Sequence, residues 1–157
     1  MEYLLLKWVH ILSATLLFGT GLGSAFYKFM TDRTGNVHAI AQTNRLVVLA
    51  DWLFTTPTVV LQPITGLALA HTVGYTLSSS WLLMAIALYV IAGLCWLPVV
   101  YLQIRMRDIA VDAVARHHAL DCRYSRLTQI WFWLGVPAFT SLVLVYALMV
   151  FKPTLWN

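Results

Sequence analysis

No formally charged side chain occurs between Asp51 and Arg105. Wound as one helix, that stretch would be about 80 Å long at about 1.5 Å per residue. The hydrocarbon core of a bilayer is only about 30 Å thick. The segment must therefore cross a membrane more than once, and it must turn between crossings. The polar cluster Gly74-Tyr75-Thr76-Leu77-Ser78-Ser79-Ser80 is where it turns. Residues 8–27 and 127–151 are equally free of charge. The pattern predicts one transmembrane domain over residues 1–157, with spans at about 4–29, 46–73, 81–104 and 127–151. The fold class expected is all-α, an integral membrane antiparallel four-helix bundle.

Composition agrees with that reading. Apolar residues make up 61% of the chain and charged residues 10%, where a soluble domain carries roughly a quarter charged. A water-soluble enzyme and a disordered tail are excluded. The basic balance of ten Lys and Arg against six acids does not point to nucleic acid, because most of the cations fall in loops. Lys28, Arg33, Arg45, Arg105, Arg107, Arg116, Arg123 and Arg126 fall on one side of the spans, and only Lys7 and Lys152 on the other. The positive-inside rule then puts both termini on the outer side of a prokaryotic plasma membrane. Trp8, Trp81 and Trp156 fit an aromatic belt on that outer side.

The first apolar stretch is long enough to cross and has only a weak basic region before it, so it reads as a retained span rather than a cleaved leader. Asn36 is placed to cap a helix that runs through Val37, Ile40 and Ala41 into the second span. The third helix should continue past Arg105, with Asp112 and Arg116 as an i,i+4 pair. Gly19 and Gly23 form a small-xxx-small pair suited to close helix packing.

Polar groups inside spans are costly, which makes them candidates for function. His10 shares a helix face with Ser13, Ala14, Leu17, Gly21 and Ser24, a small and polar stripe expected to face the bundle. It serves either as a haem ligand or proton carrier, or as a neutral imidazole bonded to a neighbouring helix. Asp51, Thr55, Thr58, Gln62 and Thr65 fall within about 80° of one another on the helical wheel. That second polar stripe lines a cavity or glues helices together near Pro57 and Pro63. Asp51 lies at the inner edge, and its simplest expected role is an ion pair with Arg45 or Arg105. His71 matches His10 in depth and is either the second ligand of a bis-histidine haem site or a solvated interfacial histidine, since it lies about 200° around the wheel from Asp51. His117–Asp121 and His118–Cys122 would be i,i+4 pairs on a helix, but no metal motif is recognisable there and a solvated loop explains them. No metal site is assigned. Cys95 falls mid-membrane and Cys122 on the reducing side, so a disulfide is not expected.

The segments Lys7-Trp8-Val9-His10-Ile11, Thr56-Pro57-Thr58, Ile64-Thr65-Gly66-Leu67 and Val136-Pro137, with the terminal Phe151-Lys152-Pro153, resemble a prokaryotic integral-membrane family of unknown function. Ala50-Asp51-Trp52-Leu53 and Cys95-Trp96-Leu97-Pro98 fit as well, so the likeness covers almost the whole chain. More distantly, the same landmarks resemble the HemJ-type protoporphyrinogen oxidases, which bind haem b. That resemblance implies that His10 matches the family's haem-ligating histidine. The chain departs from it where Leu82, Leu83, Met84 and Ala85 follow Trp81 in place of a lysine, where Gly135 precedes Val136-Pro137 in place of an acid, and where Tyr27-Lys28 stands in place of a basic cluster. A haem pocket is the implied survivor and the oxidase chemistry is not.

Two functional classes follow. One is a multi-pass membrane protein holding haem b, with His10 and His71 as axial ligands, for electron transfer or tetrapyrrole handling. The other is a non-catalytic membrane subunit or small-solute permease with no haem. Four spans are few for a lone transporter, so a homo-oligomer or a membrane partner subunit is expected in that case. A catalytic oxidoreductase would need donor and acceptor groups that the sequence does not display.

Overall fold

Charge-free apolar segments become helices in a membrane because only an intact helix bonds its own backbone polar groups. A computed structural model describes residues 1–156. Its elements are α1 (Glu2–Asp32), α2 (Val37–Ala50), a π-helical turn (Asp51–Thr55), α3 (Thr56–Val73), α4 (Ser80–Ala115) and α5 (Cys122–Phe151). No strand occurs among the described residues. Helices α2 and α3 join through the π turn into one rod, Val37–Val73, so four rods are long and apolar enough to cross a membrane.

Each boundary has a local cause. The Asn36 side chain accepts from the Ala39 amide at the start of α2. Gly74, at φ 82°, ends α3 in the left-handed conformation that a side chain disfavours. Asp121 caps α5 by accepting from the Arg123 amide. Hydrogen bonding from the Cys122 thiol, and then from the Arg123 amide, holds the Asp121 carboxyl below the usual carboxylate range. Helix α4 continues past Arg105 to Ala115, and Asp112 pairs with Arg116 at 2.7 Å near its end.

Helix α4 packs along α5, and α1 packs along α3. The two pairs meet chiefly where α2 crosses α4. The main cluster of buried apolar side chains lies there, with Ile40, Leu102, Met106, Ala110, Tyr124 and Trp131. The chain runs up and down, so both termini and the 74–79 turn share one end of the bundle. Lys152 donates to the Tyr75 hydroxyl at 3.0 Å, and the Leu155 amide donates to the Ser80 hydroxyl at 3.0 Å. The opposite end carries most of the arginines and is called the basic end below. Large apolar side chains such as Trp133 and Val150 are about 70% exposed, a surface that only lipid can cover comfortably.

Two local expectations are corrected. Trp81 is not an exposed belt residue: it is buried, with its ring edge-on to Tyr75 and Lys152 over its face. Gly19 and Gly23 do not bring helices together, since a Cβ on either would meet no atom within 4 Å. The close approach is at Gly66, where a Cβ would stand 3.2 Å from Cε1 of His10. The His117–Asp121 and His118–Cys122 pairs fall at the connection between α4, which ends at Ala115, and α5, which starts at Cys122, in line with the solvated-loop reading.

Candidate functional site

His10 is held by α3. Its Nδ1 lies 2.7 Å from the Thr65 hydroxyl. That hydroxyl has a single proton, and the Leu61 carbonyl, 2.7 Å away and one helical turn back, is the acceptor to which a helical threonine back-bonds. The oxygen lone pair of Thr65 therefore accepts from Nδ1–H. The hydrogen-bond network thus assigns the neutral imidazole as the Nδ1–H tautomer, with Nε2 left as a bare acceptor. Nε2 has no hydrogen-bond partner among the described residues. Gln62 secures the same stretch of α1 by donating to the His10 carbonyl at 2.9 Å and to the Ser13 hydroxyl at 2.6 Å.

The second-helix stripe is buried along its whole length, from Asp51 through Thr55, Thr58 and Gln62 to Thr65. Its two halves do different work. Gln62 and Thr65 glue α3 to α1, while Asp51 and Thr55 border a cavity. Thr58 is spent on its own helix, donating to the carbonyls of Phe54 and Thr55.

The expected ion pair of Asp51 is absent. Arg45 and Arg105 are exposed, and neither is in a salt bridge with it. Asp51 instead begins the π turn. There the Thr56 amide and hydroxyl both reach the Asp51 carbonyl, and the Thr55 hydroxyl donates to Oδ1 at 2.9 Å. The widened turn sits just ahead of Pro57, whose ring crowds the preceding turn and removes a backbone donor. Asp51 is buried in the bundle, on the face that the helical wheel assigns to the whole stripe.

A cavity of about 370 Å³ lies between the α1–α3 and α4–α5 pairs and extends out to the exposed Leu22, Phe132 and Val136. Gly21, Gly93 and Gly135 make room for it, and a Cβ on any of them would meet nothing within 4 Å. Trp96, Trp131, Phe132 and Phe139 give it an aromatic wall. Four buried side-chain polar atoms lack a partner among the described residues: Asn44 Oδ1, Asp51 Oδ2, Trp96 Nε1 and Gln103 Oε1. Three of their residues, Asp51, Trp96 and Gln103, line this cavity. An unpaired buried polar atom costs about 1–3 kcal/mol, so the cavity is built for something that bonds. An adjoining pocket of about 200 Å³ is lined by His10, Phe18, Tyr146 and Met149, and the two share Leu17, Tyr89 and Leu142 as wall. His71 is exposed and lines neither space. The structure therefore does not bring it to His10. Among the described residues no group of three His, Cys, Asp or Glu side chains is placed to hold a metal ion.

Several participants carry little sequence signal. Lys28 reads as loop charge, yet it is fully buried on α1. It pairs with Asp32 at 2.5 Å, donates to the Tyr124 hydroxyl at 3.2 Å and lies over the Trp131 ring at 5.0 Å. Tyr124 in turn donates to Asp32 at 2.7 Å and accepts from Asn44 at 2.9 Å. This network ties α1, α2 and α5 together at the basic end. Its one available signal is that Lys28 follows an apolar run without a turn residue between them. Trp96 and Gln103 lie on α4, where the surrounding sequence is uniformly apolar and has no polar period to mark a face.

Four rods of spanning length, apolar exposed faces and a polar-lined interior define a multi-pass integral membrane protein. The chain belongs to the family described as "Predicted integral membrane protein (DUF2269)", whose model matches residues 4–153. No curated protein and no solved structure matches the chain.

Proposed function

We propose that this membrane protein holds a haem b through His10, for electron transfer or tetrapyrrole handling. The observation that carries the reading is the state of the His10 ring, with Nδ1 bonded to Thr65, no partner on Nε2 among the described residues, and the residue lining a largely apolar pocket. Metal-ligating imidazoles are held in this way, one nitrogen oriented by a hydrogen bond and the other left to the metal. Gly66 supports the same ring position by leaving room for Cε1. The Met149 thioether, on the wall of the same pocket, is a better-placed second donor than His71, and a His/Met pair is an established haem ligand set. The likeness of Lys7-Trp8-Val9-His10-Ile11 to the first helix of the HemJ-type proteins adds support. When bound, the haem would supply one-electron chemistry; the chain's own part is to orient the ligand and exclude water.

Haem titrated into the purified protein in mild detergent tests this. Wild type is expected to saturate at one haem with a sharp Soret band, and His10→Ala to lose that band while keeping its helical circular dichroism. The same titration curve for both would overturn the assignment.

We further propose that the basic end lies inside a prokaryotic plasma membrane and both termini outside. Seven arginines lie at the basic end or in the segments that flank it, against Lys7 and Lys152 at the other end.

A further inference from the structure

The central cavity has a polar end that the haem reading leaves unused. Asp51 and Gln103 are each only 5% exposed, and both line it. Asp51 Oδ2, Gln103 Oε1 and Trp96 Nε1 all lack partners. The amide oxygen accepts only, the indole nitrogen donates only, and the acid oxygen accepts or, when it holds a proton, donates. A bare cation fits poorly beside the indole N–H. An anion fits poorly beside two acceptor oxygens. What matches the set is a neutral group that both donates and accepts, namely a hydroxyl. The rest of the wall is apolar and aromatic, with Val59, Val99, Trp131 and Phe139. The body attached to that hydroxyl is therefore a hydrophobic ring. The space, about 370 Å³, lies within the range of small-molecule sites.

We propose that the central cavity binds a lipid-soluble hydroxylated ring compound, of the phenol or quinol class. Its single hydroxyl proton is shared between Asp51 and Gln103 as a three-centre bond, and its oxygen accepts from Trp96. Asp51 stands at the start of a π turn, and π turns recur at functional sites. Gly93 and Gly135 keep the ring's place open. The site does not depend on haem, because His10 lines the adjoining pocket and not this one.

The test is equilibrium dialysis of 1-naphthol and of 1-methoxynaphthalene against the full chain in lipid nanodiscs, with empty nanodiscs subtracted. The two probes share a ring, and only the first can donate. 1-Naphthol is expected to bind about tenfold tighter than its methyl ether. Gly93→Leu fills the cavity and is expected to abolish binding of both. Asp51→Leu removes the acceptor at similar volume and should weaken 1-naphthol selectively, which keeps the test decisive if Gly93→Leu does not fold. His10→Ala should leave 1-naphthol binding unchanged, so that loss of haem and loss of this site are distinguishable. Equal binding of the two probes, binding that survives Gly93→Leu, or no binding of 1-naphthol to folded wild type would each overturn the proposal.

Discussion

Thr65 is the residue on which the His10 reading turns. Its hydroxyl proton goes to Leu61 and its lone pair fixes the imidazole, so Thr65→Val removes the acceptor without removing the ligand. Haem affinity is expected to fall about 10–100-fold in that variant, and Thr65→Ser to restore it; the haem titration measures both. Lys28 makes a second prediction. A fully buried ammonium that loses its role leaves Asp32 and the Tyr124 hydroxyl short of a partner. Lys28→Ala is expected to cost about 3–5 kcal/mol in detergent unfolding, while Arg33→Ala, on the exposed end of α1, should be close to silent. His10 was legible in the sequence because a lone ionisable group in an apolar run declares itself. Lys28 was not, because a lysine near the end of a span looks the same whether it reaches out to water or folds back under a tyrosine.

At the scale of elements, proline explains where helices reach across to one another. Pro63 has no N–H, so the Val59 carbonyl one turn earlier lacks its usual partner. The Tyr89 hydroxyl of α4 supplies it at 2.8 Å. Tyr89→Phe is therefore expected to destabilise the protein by about 1–3 kcal/mol. The loss should shrink when Pro63→Ala returns a backbone donor to α3, and a double-mutant cycle on thermal unfolding reads the coupling. The stripe from Asp51 to Thr65 was visible as spacing, since residues three and four apart share a helix face. Its division into glue and cavity wall was not. That depends on Trp96 and Gln103 arriving opposite Asp51 and Thr55 from a helix with no polar period. Proximity of side chains from separate helices leaves no mark in a single sequence.

For the whole molecule, hydropathy and loop charge were enough to give the four-rod architecture, because a bilayer leaves a chain of this composition almost no other choice. The fold then arranges two pairs of helices around an interior held at one end by the Lys28–Asp32–Tyr124 network and at the other by the His10–Thr65 and Gln62–Ser13 contacts. Between those two ties lies the space that small residues keep open. If the basic end is inside, a protease added to intact spheroplasts should remove a tag placed at the C-terminus; protection of the tag would reverse the orientation. That His10 holds a haem is tested most directly by a reduced-minus-oxidised visible spectrum of the protein, purified in mild detergent from cells supplied with haem precursor. A b-type Soret and α band at near-stoichiometric haem is the expected result. A colourless, well-folded protein would contradict the haem reading and leave a membrane subunit or permease as the function to pursue.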